Sequence, residues 1–158
     1  ALYGAEPALP RLLSGQVSSL GGTPRLRARA AGQVVADEAW PDTTSANAAG
    51  RVFDWLDRSG PGGDVAAVGH RIVHGGLAFR EPTLLTPDAL AALDRLSVLA
   101  PLHQPFNLAA VKLAQVRRPE AVQVGVFDTA FHADQPRVSR LYALPRDLIE
   151  DGVIAYGF

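Results

Sequence analysis

Alternation dominates the first forty residues. The run from Leu12 to Leu20 is followed by the turn signal Gly21-Gly22-Thr23-Pro24. Arg25, Arg27 and Arg29 then alternate with Leu26, Ala28 and Ala30. A period of two sends the arginines to one face of a strand and the apolar side chains to the other. Gly32 marks a second turn, and a third strand is expected over residues 33–39 with Val34 and Val35 as its β-branched core. The pattern predicts an antiparallel meander with one wet face. Its arginine row reads as a solvated surface, with anion binding as the alternative.

The period then changes. Ala49, Val52, Phe53 and Leu56 fall at i, i+3, i+4 and i+7, behind Thr43, Thr44 or Ser45 as cap and ahead of Gly60 as stop, which predicts a helix. Residues 65–68 form a short apolar run of the kind buried on both faces of a sheet. Thr86 as cap, Pro87 at the first helical position and Asp88 in the first turn open a second helix that should reach about Ser97. A third helix is expected from Pro105 to Arg117-Arg118-Pro119, with basic residues at its carbonyl end. Val122, Val124 and Val126 alternate into Phe127-Asp128, Pro145 starts a short helix that Gly152 stops, and Val153-Ile154 reads as a strand. Strands alternating with helices of this length predict an α/β fold in which the meander is the antiparallel part of a mixed sheet flanked by helices.

Composition narrows the function classes. With 158 residues and 47% hydrophobic content, one compact domain is expected. A net charge of -1, without a basic stripe or polybasic block, points away from nucleic acid and membrane surfaces and towards a small-molecule partner. No apolar run approaches the roughly 18 residues of a membrane span, and no basic-then-apolar leader opens the chain, so a soluble, cytoplasmic protein is expected. The absence of cysteine removes disulfides, thiol nucleophiles and thiolate metal sites. No G-x-x-x-x-G-K-[ST] run is present and Lys112, the only lysine, lies within a helix pattern, which excludes a P-loop enzyme.

Three clusters hold the candidate chemistry and all four histidines. The first is Gly69-His70-Arg71-Ile72-Val73-His74-Gly75-Gly76. His70 and His74 are spaced like a helical metal pair, but Ile72 and Val73 favour a strand, on which two such residues stand about 13 Å apart and share no ion. Arg71 and Val73 then occupy one strand face, a guanidinium beside an apolar surface. That pairing suits a small carboxylate, whose two oxygens take the guanidinium fork while the wall takes the tail; a structural ion pair is the alternative for Arg71. The double glycine permits close approach of the backbone to a ligand. In the second cluster, Leu99-Ala100-Pro101-Leu102-His103-Gln104-Pro105, His103 stands either beside an anion at a helix start or in an exposed loop. The third, Val124 to His132, places Asp128 at the end of a buried strand, where ligands gather in open α/β sheets; a helix-capping role is the alternative.

G-H-R-I-V-H-G-G, L-A-P-L-H-Q-P-F-N-L, V-F-D-T-A-F-H and Y-A-L-P-R followed by Y-G-F resemble the acetate kinase family in order and spacing, and the likeness runs from about Leu12 onward. The resemblance implies the fold shared by sugar kinases, actin and Hsp70 chaperones, a ribonuclease H-like architecture of two similar lobes around a nucleotide cleft. It implies reversible phosphoryl transfer from ATP to acetate, giving acetyl phosphate and ADP, with Mg²⁺ or Mn²⁺ as the ion and a homodimer as the assembly. It also implies that residues 1–158 form a single first lobe. The family's serine-rich phosphate turn on its first strand, its H-G-T-S-H motif and its adenosine-binding lobe with a second arginine have no counterpart here, so the isolated chain is expected not to turn over.

By the same resemblance Arg71 grips substrate carboxylate or phosphate and Asp128 is the essential active-site carboxylate, helping to place the ion or the nucleophile. Val73, Leu102 and Phe158 form the apolar pocket for the acyl methyl, and His103 stabilises charge on the transferring phosphoryl group. His70, His74 and His132 take no assigned role, although His74 and His132 read as structural hydrogen-bonding residues. The alternatives are a propionate or butyrate kinase, and a non-catalytic fragment that binds carboxylate or phosphate.

Overall fold

Hydrogen bonds gather the strands of the computed structural model, which describes residues 1–60 and 64–157, into two sheets. The chain divides into two compact units, Ala1–Ala66 and the remainder from Ala67. The α/β class and the antiparallel and mixed pairings are as expected, but the meander forms a sheet of its own.

In the first unit β1 (Leu2–Tyr3), β2 (Arg11–Ser18), β3 (Arg25–Ala30) and β4 (Gln33–Ala39) run antiparallel in that order. Leu13, Leu26, Ala28 and Ala36 line the dry face together with Trp40 and with Trp55 of α1 (Ala48–Ser59). β4 covers the expected residues 33–39, and its β-branched pair Val34 and Val35 is 49% and 53% exposed. The cause is a bulge: Ala28 pairs with Ala36, the register shifts between Ala28 and Arg29, and Val34 lands opposite Arg29 on the wet face. On that face Arg25 and Arg27 share Asp37, Arg27 Nη2 donating to its Oδ2 over 2.9 Å, and the two guanidinium partners, Arg25 first, hold the Asp37 carboxyl below its usual pKa. Thr44 and Asn47 exchange side-chain and backbone hydrogen bonds ahead of α1, and Gly60 ends it by donating its N–H to Leu56 O.

The second unit holds a three-stranded sheet, β5 (Ala67–Ile72), β6 (Thr83–Leu84) and β7 (Val122–Phe127), in the order β5-β7-β6. β5 and β7 are parallel, with Arg71 opposite Val126 and Ile72 opposite Phe127, whereas β6 is antiparallel to β7. Parallel neighbours need a long crossover. Here it includes α2 (Pro87–Arg95) and α3 (Gln104–Arg117), α2 opening as expected with Thr86 Oγ1 accepting from Ala89 N. Ile72, Leu85, Leu93, Leu108, Val111 and Phe127 close the core between sheet and helices.

The strand expected over residues 65–68 lies at 67–72, so the Gly69–Ile72 motif is itself strand and only Ile72 within it is fully buried. After β7 the chain enters a 3₁₀ turn over Asp128–His132, and α4 (Arg146–Glu150) follows further on. Val153-Ile154 joins no sheet among the described residues.

Beyond Ile72 the ladder stops, and the next four backbone N–H groups go to side chains. Val73 N donates to Asn107 Oδ1 (3.1 Å), His74 N to Gln104 Oε1 (3.2 Å), Gly75 N to Thr129 Oγ1 (2.9 Å) and Gly76 N to His74 Nδ1 (3.0 Å). Gln104 is fully buried, and its Nε2 returns two bonds, to His74 O (2.9 Å) and Leu93 O (3.2 Å). Because His74 Nδ1 accepts, its proton sits on Nε2 and the ring is neutral. Burial pushes the His74 pKa down, and the edge of Tyr156 packs against it at 4.5 Å. The double glycine serves this same turn. A Cβ on Gly75 would lie 2.5 Å from Phe79 O and 2.8 Å from the Phe127 ring, and Gly76 has φ +63°. The close approach that the pair permits is thus to the protein's own Phe79 and Phe127.

Two outcomes are expected. Gly75→Ala lowers unfolding stability by about 1–3 kcal/mol, as overpacking against backbone does, and urea denaturation reads it. For His74, the unfolded chain takes up a proton at the ordinary imidazole pKa while the native state resists until lower pH, so stability is full above about pH 6.5 and falls as pH drops below it. The denaturation midpoint should therefore decline from about pH 7.5 to 5.5, and His74→Gln should flatten that decline.

Candidate functional site

Parallel pairing brings the two principal candidates together. Arg71 is the penultimate residue of β5 and Asp128 is the first residue beyond β7, so both stand at the carboxyl ends of adjacent strands. Arg71 Nε donates to Asp128 Oδ1 at 2.8 Å and to Oδ2 at 3.1 Å. The Asp128 side chain is 19% exposed and that of Arg71 80%. Asp128, by hydrogen bond first and charge second, raises the pKa of the guanidinium further above its already high value. Its carboxylate is thus used on Arg71 and caps no helix, since the 3₁₀ turn that begins there has no side-chain cap.

The contact is the ion pair foreseen as one reading of Arg71, yet it leaves a binding group. Only Nε is engaged, and among the described residues neither Nη of Arg71 has a protein partner. A guanidinium held along one edge by a less exposed carboxylate keeps its outer nitrogens available for a second anion, in a fixed plane.

The other candidates are placed as follows. Val73 lies just past the end of β5 and is half-buried, so it shares no strand face with Arg71. His70 and His74 part company for the same reason: His70 Nε2 bonds Gln123 Oε1 at 2.8 Å within the sheet, whereas His74 turns into the core. His103 sits at the N-cap position of α3, exposed, with its side chain capping nothing, and Leu102 before it is 78% exposed. The segment carrying both is tied to Val73 and His74 through Asn107 and Gln104 of α3. His132 Nδ1 bonds Gln135 Nε2 at 2.7 Å and its ring meets Phe131 edge-on. Phe158 lies outside the described residues.

Gln104, Asn107 and Thr129 do structural work that the sequence did not single out. A faint signal was present: Gln104 and Asn107 are polar at i and i+3, one stripe of a helix, beside the core residues Leu108 and Val111. As for an ion, no three His, Cys, Asp or Glu side chains gather among the described residues. Asp128 thus belongs to no all-protein cage of three such side chains among the described residues, and a divalent ion here would be carried mainly by phosphate oxygens and water.

The chain matches the Acetokinase family over residues 28–158. An acetate kinase of Rhodopseudomonas palustris (strain TIE-1) is 40% identical over 163 aligned positions that cover 100% of this chain and 41% of the relative. One from Streptomyces avermitilis is 42% identical over 154 positions, covering 94% and 38%. Among solved structures, a propionate kinase from Francisella tularensis superposes with TM-score 0.81 at 28% identity, covering 95% of this chain and 39% of that one. Porphyromonas gingivalis acetate kinase does so with TM-score 0.78 at 35% identity, covering 96% and 40%. The chain spans about two fifths of the length of these relatives. With the family matched from the third strand through the Arg71–Asp128 pair and beyond, this chain belongs to the acetokinase family.

Proposed function

We propose that this chain supplies the carboxylate-binding lobe of a cytoplasmic, homodimeric kinase that transfers a phosphoryl group reversibly between ATP and acetate. The observation that carries the reading is the contact of Arg71 with Asp128 at the ends of two parallel strands, which orients a guanidinium while leaving its outer nitrogens unbonded. Arg71 forks onto the oxygens of the acceptor, so that one oxygen is presented in line with the phosphoryl group. Val73 and Leu102 form the apolar wall for the carbon tail. His103 donates to the oxygens of the transferring group, on which charge spreads in the transition state. Asp128 would hold Mg²⁺ or Mn²⁺ arriving with the nucleotide, and the ion would neutralise phosphate charge. Propionate is the second acceptor to consider, because one of the similar structures is a propionate kinase.

Release of ADP from Mg-ATP in a coupled assay of the full-length protein, with acetate, propionate and butyrate in turn, tests the proposal. Turnover with acetate is the expected result, and no turnover with any of the three acids refutes it. Arg71→Lys should raise the KM for acetate about 10-fold or more, since one ammonium replaces a bidentate fork and charge-assisted hydrogen bonds are worth about 1.5–3 kcal/mol. Asp128→Asn should lower kcat about 100-fold or more. Because Arg71 is 80% exposed, the ion pair is screened by solvent and contributes little to stability, so the melting temperature of Asp128→Asn should barely move. Val73→Ala should shift the acetate-to-propionate preference towards the longer acid, within the roughly 10- to 200-fold that one methylene commands.

A further inference from the structure

We propose that Asn107 is a positioning residue that sets how strictly the site prefers the two-carbon acid, by fixing Val73 as the wall of the acyl pocket. The inference rests on the reading above that Val73 meets the carbon tail of the acceptor. Val73 is the first residue beyond the paired part of β5, where Ile72 faces Phe127 and the ladder ends. Its N–H has no strand to bond, and its acceptor is the Asn107 side-chain oxygen at 3.1 Å. A backbone N–H calls for an oxygen, so the amide of Asn107 is oriented with Oδ1 towards Val73 and Nδ2 away from it.

That bond joins Val73 to a helix whose own seat is rigid. One turn earlier Gln104 is fully buried and holds His74 by both its N–H and its carbonyl, and the next residues along α3 include Leu108 and Val111 in the core. Asn107 is only half-buried, and among the described residues its Nδ2 has no protein partner. Among the described residues, then, its side chain serves the one backbone group that carries Val73. Removing that acceptor leaves the Val73 amide unpaired between the ladder and the pinned turn, and a small displacement of the wall changes the fit of the carbon tail, and so binding and selectivity.

Asn107→Leu keeps the side-chain volume and removes the acceptor, whereas Asn107→Asp keeps an oxygen for Val73 N. In the full-length protein at saturating Mg-ATP, Asn107→Leu should raise the acetate KM about 2- to 10-fold, the scale of one lost hydrogen bond, and reduce the acetate-over-propionate ratio of kcat/KM, with kcat nearly unchanged. Hydrogen exchange at the Val73 amide should quicken in the same variant. Asn107→Asp should restore the ratio and the protection. If Asn107→Leu does not fold, Asn107→Ala reads the same ratio. An unchanged ratio in the variant lacking the acceptor, whatever happens to its melting temperature, overturns the proposal, as does failure of Asp to restore the ratio. A parent protein that phosphorylates neither acid overturns the acetate-kinase reading and this inference with it.

Discussion

Everything near the candidate site depends on how four successive peptide N–H groups are satisfied after a strand runs out. Residues 73–76 are past the β5–β7 ladder, yet His74 and Gly75 are buried, so their amides need partners that are not water. Asn107, Gln104, Thr129 and the His74 ring supply them. Two of these come from α3 and one from the turn that begins with Asp128, so a single stretch of backbone is pinned to the helix layer and to the neighbouring strand end together. The position of Arg71 relative to Asp128 follows, because the chain on either side of it, the ladder before and the pinned turn after, has little freedom.

The same turn explains a set of residues that would otherwise look unrelated. Gly75 leaves room for Phe79 O and the Phe127 ring, and Gly76 takes the positive φ that carries the chain away. His74 is neutral and structural because its Nδ1 is spent on Gly76 N, which removes it from proton transfer. Of the residues in this motif, Arg71 alone extends a charged group into solvent, from a backbone set between the ladder and the pinned turn.

Much of this was legible in the sequence, and the limits have physical causes. The meander, α1, α2 with its Thr86 cap and α3 were readable because each rests on local periodicity or a local hydrogen bond. The exposure of Val34 was not readable because a bulge is a property of two strands together and one strand's composition does not disclose it. The start of β5 was read too early because Ala and Val at 65–68 are more apolar than Gly69-His70-Arg71, whereas pairing with β7 decides which residues are strand. Arg71 and Asp128 were nominated separately, 57 residues apart, and their union needs the parallel register that only the fold provides. Gln104, Asn107 and Thr129 were passed over because a polar side chain that serves a distant backbone amide looks, in one dimension, like any solvated residue.

The parallel register of β5 and β7 carries one more consequence. Side chains on a strand alternate in direction, so a slip of one position would point Arg71 to the opposite side of the sheet and set Ile72, buried in the core, towards the place it left. Hydrophobic burial therefore penalises the one-residue slips in which the guanidinium and the carboxylate fail to meet. The site's geometry is in that sense inspected by the core: a chain that has packed Ile72 correctly has, by the same act, aimed Arg71 at Asp128.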